Sequence, residues 1–357
     1  MKRHLLFLAA LLIVNLAASA QQKFSVYAVG FYNQENLFDT CHDEGKKDYE
    51  YLPNKGWNGM KYTNKLRNMS KALADMGTDV LPNVGCAFIG LSEVENHKVL
   101  DALVDQAPLK ARNMKYVHIE GPDRRGVDCA LLYNPSLFSV KNVKLLPYVQ
   151  ELAKDSAFFT RGFLTVRGEM AGDDVAVIVC HWPSRFSGPF YREAAARQVK
   201  VITDSLLNVN QEMKIFVMGD MNDDPVNKSM HVYLQAKPEI SQVGAGDMYN
   251  PWYNVLSKEG KGTLFYSGNG NLFDQIVITP NLLNKDAKKK DYSSLKYWKS
   301  QIFRRDYLIQ QEGQYKGAPL RTSAGGRWLN GYSDHLPVVM YLVKEKKELF
   351  KGKKVNR

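Results

Sequence analysis

The chain contains few cysteines, and their spacing matches no zinc-binding motif. Of 357 residues only four are cysteine, and Cys86, Cys129 and Cys180 each adjoin an apolar run with strand-like composition. Buried thiols are the expected state of these three side chains, although a protein that leaves the cytoplasm can also form disulfides. The sequence therefore gives no sign of a zinc domain and defines no disulfide pairing.

Long apolar runs are also scarce, and the only one lies at the N-terminus. Residues 1–20 combine a positively charged start, an apolar run over residues 5–16 and small residues at 18–20. This pattern predicts a signal peptide, because the run is shorter than the ~20 residues that a membrane-spanning helix needs. An uncleaved anchor is the alternative. The residue directly after Ala20 is glutamine rather than cysteine, so a lipid anchor is not indicated. We expect an exported protein, periplasmic or extracellular.

The sequence also lacks internal repeats and Pro/Ser-rich linkers. The polar motifs described below extend from Asn33 to His335, which favours one domain over residues 21–345 rather than two smaller ones. Residues 346–357 form a basic tail. We therefore expect a single domain between the signal peptide and this tail, and nothing in the sequence indicates an oligomer.

Positive charge predominates over negative charge. The formal charge is +11, and loss of Lys2 and Arg3 with the signal peptide reduces it by two to +9. Much of this charge lies in the runs 285–290 and 344–357. We interpret these runs first as lysine-rich surface that faces solvent. A binding surface for a polyanion is the alternative.

Strand-like and helical patterns alternate irregularly along the chain. Apolar, β-branched and aromatic runs predict strands at Phe24–Tyr32, Ala87–Leu91, Cys129–Tyr133, Phe163–Glu169, Val175–Cys180, Ile215–Met218, Ile276–Ile278 and Val338–Tyr341. Apolar residues at helical spacing predict helices over residues 63–76, around 99–104 and over 191–207. Some strands are joined by hairpins and others through helices, so we expect an α/β protein with mixed sheets covered by helices.

Carboxylates, amides and imidazoles follow or interrupt these strands. The motifs are Tyr32-Asn33-Gln34-Glu35-Asn36, Leu91-Ser92-Glu93, His181-Trp182-Pro183-Ser184-Arg185, Gly219-Asp220-Met221-Asn222-Asp223, Leu272-Phe273-Asp274-Gln275 and Ser333-Asp334-His335. Loops at strand ends converge on clefts, and oxygen ligands of this kind suit Mg²⁺. The set as a whole therefore indicates a site for one hard metal ion and one phosphate ester.

Asn33, Glu35 and Glu93 are candidates for the metal side of the site. Asn33 and Glu35 are two residues apart, so on extended chain they share a face. Glu93 follows an apolar run and Ser92, which puts its carboxylate at a strand end. The alternatives are a turn-forming Asn33 and a solvated or helix-starting Glu93.

Asp220 and Asn222 are candidates for binding the attacking water. Both follow the apolar run Ile215–Met218, and Gly219 allows close approach of the backbone. A carboxylate can orient or deprotonate a water molecule that an amide holds. The alternative is an acidic turn without chemistry.

Asp334 and His335 should have different roles, because adjacent side chains on a strand point to opposite faces. Asp334 is a candidate metal ligand or water-orienting group. His335 is a candidate donor to a phosphoryl oxygen. Asp274 interrupts an apolar strand and needs a partner if it is buried, so it is the expected holder of His335. A structural histidine is the alternative.

His181 ends the apolar run that precedes Trp182 and Pro183, which leaves its imidazole at a cleft edge. A second imidazole suits protonation of the leaving oxygen, and a buried structural histidine is the alternative. Arg185 and Arg125 are candidate phosphate contacts. Asp128 is a candidate partner for His181, with a simple turn ion pair as the alternative.

Together these motifs resemble the endonuclease/exonuclease/phosphatase superfamily, which includes pancreatic deoxyribonuclease, abasic-site endonucleases, neutral sphingomyelinases and inositol polyphosphate 5-phosphatases. The resemblance covers roughly Phe24 to Val343, and its most specific parts are Gly219-Asp220-x-Asn222 and Asp334-His335. It implies a four-layer α/β sandwich of two packed mixed β-sheets flanked by helices. It also implies hydrolysis of phosphate esters with Mg²⁺, or with Mn²⁺ or Ca²⁺.

The resemblance assigns a role to each matching residue. It implies Glu35, Glu93 and Asp334 as metal ligands near Asn33, and Asp220 and Asn222 as the groups around the attacking water. His335 paired with Asp274 would stabilise the transition state. His181 resembles the additional histidine of the deoxyribonuclease and sphingomyelinase branches, but the Glu that holds it there has no clear counterpart in this sequence.

The motifs leave the substrate open. Basic charge, the predicted export and the two histidines favour an exported nuclease acting on DNA or RNA. Trp252, Phe265 and Tyr266 are candidates for base stacking or for the core. A lipid or small-phosphate hydrolase is the alternative, with Leu320–Leu329 as a possible membrane-docking loop, and no stable membrane insertion is expected. A secreted binding module is a third reading, which the complete set of polar motifs disfavours.

Overall fold

The computed structural model describes residues 24–149, 158–266, 269–286 and 288–346. The predicted signal peptide and all but the first residue of the predicted basic tail lie outside these residues. No helix within them is long and apolar enough to cross a membrane.

The described chain contains two large groups of strands and a few helices. The strands are β1 Phe24–Leu37, β2 Phe88–Val94, β3 Lys115–His118, β4 Asp128–Tyr133, β5 Phe138–Leu146, β6 Phe163–Met170, β7 Asp173–His181, β8 Lys214–Asp220, β9 Ala236–Lys237, β10 Met248–Tyr249, β11 Leu264–Tyr266, β12 Asn269–Asn271, β13 Asp274–Ile278, β14 Lys296–Ile302, β15 Ser323–Ala324, β16 Arg327–Trp328 and β17 Val338–Glu345. The α-helices are α1 Gly59–Asp75, α2 His97–Val104, α3 Ala107–Ala111, α4 Pro189–Val209 and α5 Trp252–Ser257. Short 3₁₀ turns span Tyr49–Tyr51, Pro53–Lys55, Ile240–Gln242, Pro280–Leu282 and Asp306–Leu308, and a π-turn spans Ser229–Tyr233.

The strands form two mixed sheets. The first has the order β14-β17-β1-β2-β4-β3 and the second β5-β6-β7-β8-β13-β10-β9. β1 runs parallel to β2 and β7 parallel to β8, whereas β1 pairs antiparallel with β17 and β8 antiparallel with β13. Each parallel pair is joined through a helical segment, as a parallel connection requires.

Three apolar clusters hold the layers together. One lies between the sheets and joins Phe31 and Phe88 of the first sheet to Phe216 and Ile276 of the second. A second cluster packs the outer face of the first sheet against α1 to α3, and a third packs the second sheet against α4. The fold is therefore a four-layer α/β sandwich, as the sequence predicted. Trp252 belongs to the central cluster and is core rather than a base-stacking surface.

Strand register brings three of the polar motifs together at one end of the second sheet. His181, the last residue of β7, lies opposite Asp220, the last residue of β8. Asp274, the first residue of β13, lies opposite Asp220 on the other side. A Cβ atom at Gly219 would lie 2.2 Å from the Cys180 carbonyl oxygen, so only glycine permits this close approach.

Candidate active site

His335 and Asp274 form a buried pair. His335 Nδ1 lies 2.7 Å from Asp274 Oδ2, which directs Nε2 towards Asp220 Oδ2 at 3.8 Å. The backbone N–H of His335 donates to Ser333 Oγ, and Ser333 in turn donates to the Asn33 carbonyl oxygen. Burial disfavours the charged imidazole, but the Asp274 and Asp220 carboxylates outweigh it and raise the pKa of His335 well above its usual value. The expected pairing of Asp274 with His335 is present.

Asp220 is at the centre of the site. Its Oδ1 accepts a 2.9 Å hydrogen bond from the Asn222 backbone N–H, and its Oδ2 accepts a 3.0 Å bond from Asn33 Nδ2. Burial raises the pKa of the Asp220 carboxyl, and the nearby His335 acts in the opposite direction without cancelling this effect. A carboxylate with a raised pKa is a stronger base towards a water molecule.

Asn222 has a left-handed backbone, with a φ of 49°, and its side chain donates to the Trp182 carbonyl oxygen over 3.1 Å. Arg185 was expected to contact phosphate, but its guanidinium is used to hold the loop that carries Asn222. Nε donates to the Asn222 carbonyl oxygen at 3.1 Å and Nη2 donates to Asp224 at 2.9 Å. These bonds hold the guanidinium against the Asn222 loop, and Arg185 does not line the cavity that His181 and Asp220 share.

His181 approaches two carboxylates without bonding to either. Its Nε2 lies 3.7 Å from Asp220 Oδ2 and 3.8 Å from Glu93 Oε1. Among the described residues no group hydrogen bonds to Nδ1. Burial and the positive charges of Arg161 and Arg125 lower the pKa of His181 well below its usual value. The neutral form of the imidazole is therefore favoured in the free protein.

Asp128 does not hold His181, in contrast to the expectation. Its Oδ2 is bonded by His118 Nε2 at 3.0 Å, and its Oδ1 accepts the Gly121 backbone N–H at 2.9 Å. Both oxygens of Asp128 thus accept hydrogen bonds within the β3–β4 region. The buried carboxylate does not line the cavity that contains His181 and Asp220.

Glu93 occupies a sharp bend in β2, with a φ of 59°. Its Oε2 accepts a 3.0 Å hydrogen bond from the Asn36 backbone N–H. Only 14% of the side-chain surface is exposed, and the side chain lines a cavity that His181, Asp220 and His335 also line. This geometry keeps one carboxylate oxygen oriented towards the space that a phosphate would occupy.

Glu35 was expected to bind metal beside Asn33, but it binds an arginine. Its backbone φ of 46° breaks the extended geometry, so the two side chains separate. Glu35 Oε1 accepts from Arg321 Nε at 3.1 Å, and Oε2 accepts from the Thr322 backbone N–H at 2.6 Å. Arg321 Nη2 also donates to Asp334 Oδ2 at 3.0 Å. Arg321 therefore bridges the two acids that were expected to share a metal.

The carboxylates fit a divalent cation in part. Glu35, Glu93 and Asp334 do not form a three-ligand cluster within the described part of the chain. Glu93 and Asp334 nevertheless line the same cavity, and Glu93 Oε1 and Asp334 Oδ1 have no hydrogen bond from any described residue. Mg²⁺ is commonly held by one or two carboxylates together with water and substrate phosphate. The donor set thus fits an ion held by Glu93 and Asp334, without Glu35.

These groups line a cavity of about 490 Å³, the reaction cavity. Its wall includes Glu93, Arg125, Phe159, Arg161, His181, Phe186, Asp220, Asn222, Asp334 and His335. Asn33 and Asp274 lie behind this wall and fix the side chains that form it.

Arg161 was not identified from the sequence. It is buried, and its Nη1 and Nη2 bond to Asp123 Oδ2 at 2.9 Å and to the Trp182 carbonyl oxygen at 3.0 Å. Among the described residues its Nε has no hydrogen-bond partner. The available signal was its place just before β6, whose first residue pairs with Cys180 beside His181. The positive charge of this buried guanidinium at the cavity wall is suited to attracting a phosphate group.

Two packed mixed sheets with carboxylates and imidazoles at the strand ends define an α/β sandwich with a polar site at one end of its sheets. The profile of the Endonuclease/Exonuclease/phosphatase family matches residues 28–344. The chain therefore belongs to this family.

Solved structures with the same fold include a family member from Bacteroides thetaiotaomicron, 14% identical, with 90% of this chain and 96% of that chain covered and a TM-score of 0.53. A mannosyl-6-phosphatase from Bacteroides thetaiotaomicron is 14% identical, with coverage of 88% and 99% and a TM-score of 0.52. D. rerio TDP2 complexed with single strand DNA product is 12% identical, with coverage of 89% and 99% and a TM-score of 0.51. Among curated protein sequences none matches this chain. At these identities the likeness concerns the fold.

Proposed function

We propose that this protein is a divalent-metal-dependent phosphodiesterase that hydrolyses the nucleic acid backbone. The observation that supports it best is the cluster at Asp220. His335, His181 and Asn33 each approach Asp220 Oδ2 within 4 Å. A base, two imidazoles and an amide are thus available around one reacting phosphorus atom.

Asp220 is the general base in this proposal. Asn33 and the Asn222 N–H fix both of its oxygens, so the carboxylate has a defined orientation towards a water molecule in the reaction cavity. Its raised pKa favours acceptance of the proton as that water attacks phosphorus. The proton then resides on Asp220 until it is released to solvent.

His335 and Arg161 stabilise the charge that develops on the phosphoryl oxygens. The Asp274 carboxylate keeps His335 protonated, so its Nε2–H donates to an oxygen of the pentacoordinate transition state. Arg161 adds the positive charge of its guanidinium at the cavity wall. Donors that are already in place before the reaction need little reorganisation, which is why they lower the barrier.

In this proposal His181 transfers a proton to the leaving oxygen. Its lowered pKa favours the neutral imidazole in the free protein, and an anionic phosphate beside it favours the protonated form. The protonated imidazole can then give its proton to the departing alkoxide. When a divalent cation is bound by Glu93 and Asp334, it supplies further neutralisation of phosphoryl charge.

The Asp274→Asn change is expected to act through His335. Asparagine cannot stabilise the imidazolium, so kcat should fall, and the Asp274→Asn/His335→Ala double change should cost little more than the worse single change. Steady-state kinetics on a generic phosphodiester measure this coupling. Fully additive losses would show that the two residues do not work as a unit.

The surroundings of the reaction cavity support a nucleic acid substrate. Phe159 and Phe186 lie at its rim with half or more of their surface exposed, and Arg125 lies beside them with half of its side chain exposed. Flat exposed rings with a neighbouring cation provide stacking platforms for bases. The solved structures with this fold range from a DNA-product complex to a sugar-phosphate phosphatase, so the choice of substrate rests on these features and on the net positive charge.

The segment Leu320–Leu329 offers little for docking to a lipid surface. It contains the β15–β16 hairpin, whose Trp328 packs edge-on against Trp57 with ring centroids 5.8 Å apart. Lys61 lies 5.7 Å above the same ring. The largest apolar side chain of the segment therefore packs against the protein.

A substrate panel tests this proposal. Purified protein with Mg²⁺ or Mn²⁺ at low salt should cleave DNA or RNA, and binding to uncleavable analogues should weaken steeply as salt is raised, because released counterions drive backbone binding. The panel also contains sphingomyelin, a phosphoinositide and a sugar monophosphate. Intact nucleic acid together with hydrolysis of one of these others would overturn the nuclease assignment.

We further propose that the protein is exported, to the periplasm or beyond the cell. The tripartite pattern of residues 1–20 supports this. N-terminal sequencing of protein from the native envelope or medium should begin near Gln21. Recovery of the intact Met1 form from the cytosol would contradict it.

A further inference from the structure

A second cavity of about 540 Å³, the flanking cavity, lies next to the reaction cavity. The two cavities are neighbours, and Asp334 lines both. The segment 308–320 supplies much of the wall of the flanking cavity and folds back on itself through a bridge between Ile309 and Pro319. The flanking cavity is therefore the nearest space for the part of a substrate that continues beyond the reacting phosphate.

The flanking cavity is positively charged. Arg304, Lys316 and Arg321 line it, and Asp334 is its one lining carboxylate, already paired with Arg321 at 3.0 Å. Within the described residues no carboxylate is within ion-pair distance of Arg304 or Lys316. Arg304 donates only to the Gly317 carbonyl oxygen. Two cations without acidic partners thus face the cavity, which suits an anionic group.

The same cavity carries exposed aromatic rings. Phe265 of β11 is 39% exposed and Tyr315 is 61% exposed, and both line the wall. Exposed rings of this size offer a flat surface to a base, and base–aromatic stacking tolerates any base. Cations beside exposed rings match a nucleotide better than an inositol phosphate, which lacks a π face.

We propose that the flanking cavity binds the nucleotide next to the scissile phosphate. Arg304 and Lys316 hold the neighbouring phosphate of the chain, and Tyr315 and Phe265 stack against the base. This assignment rests on the proposed phosphodiesterase function and adds its substrate class: chains with at least two phosphates and a base between them. Such a site gives preference for oligonucleotides over isolated diesters.

The test compares three substrates that differ by one feature each. Hexathymidylate has phosphates and bases, a hexamer of abasic tetrahydrofuran units has phosphates only, and bis(4-nitrophenyl) phosphate has a single diester. The full chain with Mg²⁺ or Mn²⁺ is used throughout. The variants are Arg304→Gln/Lys316→Gln, Tyr315→Ala and Tyr315→Phe, none of which alters a residue of the reaction cavity.

The charge variant should lower kcat/KM for both hexamers by about 10-fold or more, while activity on the aryl diester stays within twofold. The salt dependence of hexamer binding should also decrease by roughly 0.7 in slope for each phosphate that the variant no longer neutralises. Lys115→Gln/Lys144→Gln is the matched control, since it removes equal charge from exposed lysines of β3 and β5. The control should leave all three substrates nearly unchanged.

Tyr315→Ala should lower kcat/KM for hexathymidylate but not for the abasic hexamer, and Tyr315→Phe should restore it because the ring is retained. The inference is overturned if the charge variant affects neither hexamer, if it affects all three substrates equally, or if its effect equals that of the lysine control. If the unmodified protein leaves even the aryl diester intact, the phosphodiesterase proposal itself fails, which is a separate result.

Discussion

An Asp220→Asn protein is expected to lose at least ~10²-fold in kcat, the range for removal of a positioned proton-transfer group. Asparagine keeps the shape, and its amide can still meet the Asn222 N–H through its oxygen. It cannot accept the proton of the attacking water, so the loss should appear in kcat with KM little changed. Stopped-assay kinetics on a generic diester measure both parameters.

His335→Ala should produce a loss of similar size by a different route, because it removes a charged donor to the phosphoryl oxygens. The two variants need a control substitution close to the site that changes none of the proposed catalytic groups. Asn271→Ser serves, since the Asn271 side chain bonds to Asp224 in the supporting loop. Asp220→Asn activity close to that of this control would refute the base assignment.

Glu93→Gln is expected to lower metal-supported turnover by ~10²-fold or more, and excess chelator should abolish turnover of the unaltered protein. The change removes the charge facing the cavity while an oxygen remains for the Asn36 N–H. Titration with Mg²⁺ should show that Glu93→Gln needs a much higher concentration for half-maximal activity.

Glu35→Gln is the matched comparison for that experiment. The chemical change is the same, but Glu35 bonds to Arg321 and Thr322, so the Mg²⁺ concentration for half-maximal activity should change little. If the Mg²⁺ concentration for half-maximal activity rises equally in both variants, Glu35 is a metal ligand after all. Full activity in excess chelator would refute metal dependence altogether.

The buried strands were predictable because their residues are apolar on both faces. β7 and β8 contain continuous apolar runs that end in the polar residues His181 and Asp220, and β13 leads from Asp274 and Gln275 into the apolar run Ile276–Ile278. The strands and their polar ends were therefore predicted. The edge strands β5 and β14 were not predicted. Most of their residues are half-buried or exposed, and their lysines obscure the alternation that identifies a strand.

Three of the predicted site residues have partners that the local sequence does not indicate. Glu35 and Arg185 bond to groups far away in the sequence, and Asp128 bonds to His118 on the neighbouring strand β3. Side-chain partners of this kind depend on tertiary packing, which a local pattern does not contain. Arg161 was missed because its place just before β6 becomes informative only when β6 pairs with β7 and brings it beside His181.

The pairing of β1 with β17 determines when this site can exist during synthesis. Phe31 lies beside Val338 although the two residues are near opposite ends of the sequence. The Asn33 carbonyl oxygen can accept the hydrogen bond of the Ser333 hydroxyl only when these strands are paired. A chain whose synthesis has not reached residue 334 therefore lacks Asp334 and His335, although most of the sequence that forms the two sheets has already been made. The candidate centre is assembled last, so a chain that is still being made has no competent site with which to attack the phosphate esters of the cell that makes it.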